Sequence, residues 1–375
     1  MAGDCPVRIL IVDDSAVMRS LLRSVIAAGT GLDVAGTAAD GVTALSAVEN
    51  LHPGLILLDV EMPVMDGLVT LRELRARGHK MPVIMCSSLT QRGARVTLEA
   101  LSGGASDYVA KPAGQSSREV AVRALAQDLL PRIYALTTPT RAQPPTVFPV
   151  HSPLPLSLQP PLKLQPVSSP PLALAIGVST GGPAALDVML PALPLEFPLP
   201  VLIVQHMPEL FTRLLAERMN GRCPLQVREA SEGEPVRAGA IYIARGNWHL
   251  EALAAARAGL PATLHLSQGP LENHCRPAVD VLFRSLAAVY GSGVLAVVLT
   301  GMGSDGLAGC RVIRQRGGGV LAQDQATSAV WGMPGAVAAA GLAHKVLPLH
   351  AIAAEILRLA ARTPGEVREL RETVV

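Results

Sequence analysis

Between residues 131 and 171 the chain carries twelve of its 31 prolines, no acidic residue and three charges, Arg132, Arg141 and Lys163. Each proline fixes φ and lacks an amide donor, so the stretch reads as a linker and not as helix or central sheet. Extended like polyproline at ~3.1 Å per residue, it would reach on the order of 100 Å, enough for flanking domains to dock or part. The 375 residues then divide into a first domain over 1–130, the linker over 131–171, a second domain over 172–362 and a tail over 363–375. With 49% hydrophobic residues, both domains can bury a core.

On the amino side the apolar runs "VRILIV", "GLILLD", "PVIMCS" and "DYVAK" alternate with helical patterns such as Val17 to Ala28 and Leu68 to Arg77. On the carboxyl side "LALAIGV", "VLIVQH", "AIYIA", "VLAVVLT", "GGVLAQD" and "KVLPL" alternate in the same way with helices such as Ala278 to Tyr290. Strands that are apolar throughout, separated by helices, predict α/β domains with parallel sheets covered on both faces. The second domain reads as doubly wound, with an antiparallel excursion where strands follow quickly over Pro224 to Ser267. In such sheets the chemistry lies beyond the carboxyl ends of the strands.

Several classes are disfavoured. A net charge of +2 spread over the chain offers no basic stripe for nucleic acid. Five scattered cysteines without a C-x-x-C pair suggest neither a disulfide framework nor a zinc site, and they fit a reducing cytoplasm. "MAGDCPVRIL" does not read as a signal peptide, and the longest uncharged stretches are broken by proline and glycine. A soluble cytoplasmic monomer without a membrane span is expected.

The first domain places Asp13, Asp14, Asp59, Ser87 and Lys111 at its strand ends. Two unit charges ~4 Å apart at an effective dielectric of ~20 repel by about 4 kcal/mol, so converging carboxylates call for a cation or raised pKa values. A hard divalent ion, most naturally Mg²⁺, is implied. Caps and solvated turns are the plain alternative for any one aspartate. The segments "VDDS", "LLDVEMPVMDG", "CSS" and "YVAKP" resemble the receiver domain of two-component response regulators. The resemblance implies a flavodoxin-like sheet with Asp59 as phosphoacceptor. By it, Asp13, Asp14, Asp59 and the backbone carbonyl of Glu61 hold Mg²⁺, Ser87 and Lys111 contact the phosphoryl group, and Tyr108 is the aromatic that moves on activation.

In the second domain "GVSTG", Gly177 to Gly181, fits G-x-S-x-G in a strand-to-turn context. A phosphate loop competes poorly, because G-x-x-x-x-G-K is absent and Ser179 stands where a second glycine of G-x-G-x-x-G would be. An ordinary glycine turn competes well when the motif is taken alone. A serine needs a base and an orienting carboxylate. His206 in "VLIVQHMP" and Asp305 in "VLAVVLTGMGSDG" follow other strands of the same sheet. His52, His79, His344 and His350 read as surface or loop residues, whereas His249 and His274 are rival bases or substrate contacts.

"IGVSTGGP", "VQHMP", "RPAVDVLF", "LTGMGSDG" and "GMPGAV" together resemble the catalytic domain of chemotaxis protein-glutamate methylesterases of the CheB type. The resemblance implies Ser179 as nucleophile, His206 as general base and acid, Asp305 as its orienting partner and no cofactor for the ester chemistry. It implies oxyanion amides near Thr180 and Met302, and a substrate groove lined by His249, His274 and Arg276. It further implies methyl-accepting chemoreceptors as substrate, with deamidation of receptor glutamines, a histidine kinase as phosphodonor, and a receiver that docks over the esterase mouth. Ser304 stands where the family pattern expects asparagine, and "ARGNWH" replaces a Pro-Gly-Asp type turn. An adaptor that binds receptor without turnover is the rival class; a transcriptional regulator fails for want of a basic helix-turn-helix.

Overall fold

In the computed structural model, residues 6–88, 90–112, 117–137, 169–255, 257 and 260–361 are described. The first sheet is built from β1 (Val7–Val12), β2 (Leu32–Ala38), β3 (Leu55–Asp59), β4 (Val83–Ser87) and β5 (Asp107–Ala110). All pair in parallel in the order β2-β1-β3-β4-β5, and β3 and β4 are buried along their whole length. Between them run α1 (Ala16–Ala27), α2 (Gly41–Leu51), α3 (Gly67–Ala76) and α4 (Gln91–Ser102), and α5 (Arg118–Thr137) follows β5. Ser15, Asp40, Asp66 and Thr90 cap the first four, each side chain accepting a backbone N–H of the first turn.

Helix α5 continues through Pro131 to Thr137, into the start of the expected linker. An interior proline costs a helix about 3 kcal/mol. Leu125, Leu129 and Ile133, spaced four apart, are nearly or fully buried, and burying such a side chain is worth about 1.5–3 kcal/mol. Packing therefore outweighs the proline, which the composition of the stretch did not reveal. Residues 138–168 of the linker and the tail over 363–375 lie outside the described residues.

The second sheet contains β6 (Ala173–Val178), β7 (Val201–Gln205), β8 (Gln226–Glu229) and β9 (Ala240–Ile243). A separate pair follows, β10 (His249–Leu253) and β11 (Thr263–Ser267), and then β12 (Val294–Val298), β13 (Gly319–Gln323) and β14 (Lys345–Leu347) complete the main sheet. Its order is β14-β13-β12-β6-β7-β9-β8, parallel throughout. The antiparallel excursion is thus narrower than expected. Among the described strands, β10 and β11 are the pair that runs antiparallel, in their own two-stranded sheet, while β8 and β9 extend the parallel one.

Helices α6 (Gly182–Met189), α7 (Glu209–Asn220), α8 (Val279–Tyr290), α9 (Leu307–Gln315), α10 (Met333–Ala339) and α11 (Leu349–Ala360) cover this sheet. One apolar core holds β6 and β7 side chains such as Leu174 and Ile203 together with α6, α7 and α11, and the opposite core holds Ala175 and Leu202 with α8. The first core is continuous with one face of the amino-terminal sheet, because α4 packs on both α6 and α7. The two domains meet along that seam.

Candidate functional site

The order of strands decides which side chains converge. β1 and β3 are neighbours, so Asp13 follows one and Asp59 ends the other. Asp13 and Asp59 are buried, Asp14 is exposed, and their oxygens lie within 4.8 Å of one another. Lys111 Nζ stands 2.7 Å from both Asp13 Oδ2 and Asp59 Oδ2. Burial raises Asp59 to about 6, against the pull of Lys111. Burial also disfavours the Lys111 ammonium, but bonds to Asp13 and Asp59 hold its pKa above the ordinary value. Three carboxylates facing one ammonium leave negative charge uncompensated, and hard oxygen donors at this spacing fit a Mg²⁺ ion. Ser87 ends β4 and is buried, with Oγ donating to the Ser88 carbonyl at 3.1 Å. Glu61 pairs through its side chain with Arg92 at 3.7 Å.

Ser179 begins the loop after β6, His206 the loop after β7, and Asp305 lies in the loop after β12. Those strands are adjacent in the order β12-β6-β7. His206 Nε2 and Asp305 Oδ2 are 2.8 Å apart. Burial opposes a charged imidazole, yet Asp305 and the nearby Cys275 sulfur outweigh it and raise His206 to about 9. Asp305 is buried too, but the His206 bond and the amides of Val279 and Asp280 keep its carboxyl below the ordinary value. The Ser179 backbone is pinned on both sides. Its N–H donates to Thr300 O at 3.0 Å, and its carbonyl accepts from Gly182 N at 2.8 Å and Gln205 Nε2 at 3.0 Å. These bonds fix the position of the Ser179 backbone at the tip of β6.

The seam passes over this site. Thr180 Oγ1 donates to Asp107 Oδ2 at 2.7 Å, and Arg132 Nη1 donates to the same oxygen at 2.8 Å. Tyr108 stacks on Phe211 with ring centroids 4.5 Å apart. A cleft of about 320 Å³ is walled by Tyr108, Asp128 and Arg132 on one side and by His206, Cys275 and Arg276 on the other. Asp187 of α6 accepts from Ser102, and Arg218 of α7 donates to Leu98 O at 3.3 Å.

The remaining expected residues separate. His274 and Arg276 line the cleft, and Met302 is exposed. His249 is buried and does not fit the expected substrate groove. Its Nδ1 accepts from Ala278 N at 3.2 Å and its Nε2 donates to Pro270 O at 2.9 Å, so both ring nitrogens serve the fold. Arg276 ties loops as well, donating to the carbonyls of Gln268 and Gly269 and to Asn247 Oδ1. That contact uses the "ARGNWH" turn, where Asn247 adopts φ 64°. Sequence reasoning missed Asp107, Arg132 and Cys275; no motif marks them, since each acquires its place through the seam or a loop.

The chain is similar to known proteins over most of its length. Residues 174–356 match the CheB methylesterase family and residues 9–123 the response regulator receiver domain. A protein-glutamate methylesterase/protein-glutamine glutaminase of Nocardioides sp. is 50% identical over 365 residues, covering 95% of this chain and 96% of the relative. A protein of the same description from Trichodesmium erythraeum is 46% identical over 358 residues, covering 94% and 98%. Among solved structures, the catalytic domain of Thermotoga maritima CheB methylesterase is 42% identical and covers 50% of this chain and 98% of its own, with a TM-score of 0.49.

Proposed function

The chain belongs to the CheB family of protein-glutamate methylesterases/protein-glutamine glutaminases, with a receiver domain ahead of the esterase, and from that premise we propose that Ser179, His206 and Asp305 carry the hydrolysis. The observation that supports this most directly is the 2.8 Å bond between His206 and Asp305 beside the β6 loop that bears Ser179. Ser179 Oγ attacks the γ-carbonyl of a methylated glutamate while His206 takes its proton. Nε2 is engaged by Asp305, so the proton goes to Nδ1. The oxyanion forms against loop amides near Thr180 and Met302, each worth about 3–4 kcal/mol in such sites. Methanol departs, His206 activates water, and the acyl-enzyme is released as glutamate. With ammonia as leaving group the same steps deamidate glutamine.

The substrates are cytoplasmic segments of methyl-accepting chemoreceptors, and a histidine kinase supplies the phosphoryl group to Asp59 in the cytoplasm. No described helix is long and apolar enough to cross a membrane. Mg²⁺ held by Asp13, Asp14, Asp59 and the Glu61 carbonyl would neutralise charge during phosphoryl transfer. Ser87 and Lys111 then receive the phosphoryl oxygens, and Tyr108, stacked on Phe211, passes the change to the seam. A tenfold gain in activity needs only about 1.4 kcal/mol, within reach of one phosphoryl charge.

Methanol release from methylated receptor membranes tests the reading. It vanishes in Ser179→Ala while receptor binding persists, and Asp59→Asn keeps basal release but loses stimulation by a small phosphodonor with Mg²⁺. Turnover in Ser179→Ala would remove Ser179 from its role.

A further inference from the structure

We infer that Asn273 is a positioning residue for the Asp305–His206 pair, an assignment that rests on the triad proposed above. Asp305 collects five hydrogen bonds. Oδ2 takes His206 Nε2 at 2.8 Å and Val279 N at 2.7 Å; Oδ1 takes Asp280 N at 3.0 Å, Gly306 N at 3.0 Å and Asn273 Nδ2 at 2.9 Å. Three of the donors are backbone amides at the start of α8 and in the β12 loop, set by the fold itself. Apart from the base, Asn273 is the side-chain donor to Asp305 among the described residues.

The same Nδ2 lies 3.0 Å from Asp280 Oδ2, so one amide group bridges two carboxylates. Asp280 is buried, with Oδ1 accepting Gly309 N at 2.6 Å, and burial raises its pKa. An amide suits the place because it offers two donors and no charge. A carboxylate there would be the third in the cluster. The turn that presents Asn273 is well held. Glu272 and Cys275 exchange backbone bonds at 3.1 and 2.9 Å, Glu272 pairs with both terminal nitrogens of Arg284 at 2.6 Å, and Asn273 sits at φ 52°, a region asparagine tolerates.

The consequence is electrostatic as well as geometric. With Oδ1 saturated by Asn273 and two amides, Oδ2 is the oxygen presented to the imidazole, and part of the negative charge is spread away from it. Other charged or titratable groups facing the pair on the esterase side are Cys275, Asp280, Glu272, Arg284 and Cys310, with His274 and Arg276 lining the cleft beside His206. The receiver contributes Arg132 and Asp128 across the cleft. Replacing the amide by a carboxylate adds negative charge beside Asp305 and holds the proton on His206 more tightly.

The test uses the full chain treated with phosphodonor and follows kcat/KM for methanol release against pH. In Asn273→Asp the acid limb moves alkaline by about 1 pH unit. In Asn273→Ala, which loses the donor without adding charge, the shift has the same sign and is smaller. A role confined to packing would lower the plateau and leave the limb in place. Titration of His206 by NMR, on variants checked by thermal melting, reads the link without turnover; should Asn273→Asp not fold, Asn273→Ala decides. An unmoved His206 titration in the folded variants overturns the assignment, as does a shift to lower pH. Because that titration does not depend on Ser179, failure of the positioning role is separable from failure of the nucleophile, which Ser179→Ala reports.

Discussion

Thr180 Oγ1 donates to Asp107 Oδ2 at 2.7 Å, joining the residue next to Ser179 to the receiver strand that carries Tyr108. Asp107 is buried, and Arg132 shares the same oxygen, so this is a charge-assisted bond in a desolvated seam. Such bonds contribute about 1.5–3 kcal/mol, and the Tyr108–Phe211 stack adds about 0.5–1.5 kcal/mol beyond its buried area. These contacts hold the receiver against the esterase domain beside the cleft.

Asp107→Asn keeps the shape and removes the charge. Losing about 1 kcal/mol of seam stability raises the share of open molecules roughly fivefold. Basal methanol release in the unphosphorylated chain accordingly rises several-fold, and the ratio of stimulated to basal release falls by a similar factor. Unchanged basal release would show that this bond does not restrain the esterase.

His206 yields a pH dependence. Its pKa, 6.5 when unperturbed, is raised to about 9, with burial opposing and Asp305 and Cys275 prevailing. An imidazolium cannot accept the Ser179 proton, so kcat/KM of the resting chain climbs between pH 7 and about 9 and then levels. For stability the sign is opposite. The charged pair stabilises the fold fully below about 6.5, and this contribution is lost as pH rises through about 9. Asp305→Asn should return the acid limb towards 6.5 while lowering the plateau, as a pH-rate series would display.

Much of this arrangement is legible in the chain because parallel strands deliver their loops to one edge. "VDDS" and "LLD" end β1 and β3, and "GVS", "VQH" and the run before Asp305 end β6, β7 and β12. Strand order is not written in any of those segments; it follows from how the crossover helices pack. For that reason the adjacency of β12, β6 and β7 is a property of the folded sheet and not of any one segment. His249 resembles a base in sequence because burial and its two backbone partners are invisible there. Pro131 resembles a linker residue because Leu129 and Ile133 find their core against α1 and the first sheet, far away in sequence. Asp107 and Asn273 carry no motif at all, since both act through contacts distant in sequence.

Mg²⁺ binding at the receiver cluster is expected to be coupled to protons. Burial lifts Asp59 to about 6, whereas a bound divalent cation requires the carboxylate. Mg²⁺ affinity is expected to hold steady above about pH 6 and to fall towards tenfold per unit below it, with up to one proton released per ion bound. Calorimetry in buffers of different ionisation enthalpy measures that proton directly. In Asp59→Asn the proton release disappears; release that persisted would place the titrating group elsewhere.

Gly301 tests how tightly Ser179 is held. A Cβ at this position would stand 2.8 Å from Ser179 Cβ and 2.4 Å from Met333 Sδ. Gly301 itself cannot retreat easily, because its N–H donates to Val330 O at 3.0 Å and its carbonyl accepts from Gly332 N at 3.0 Å and Met333 N at 2.8 Å. Met333 is fully buried, so its sulfur has little room to yield, and the β6 loop must move instead. Overpacking of this kind costs about 1–3 kcal/mol of stability, and a shift near 1 Å at a reacting group costs on the order of 100-fold in rate. Gly301→Ala should thus lower kcat about 100-fold with a modest fall in melting temperature, while Asp59, in the other domain, accepts phosphate as before. A variant with full kcat would mean that Ser179 tolerates displacement, and that the pinned backbone around it is not what aims the hydroxyl.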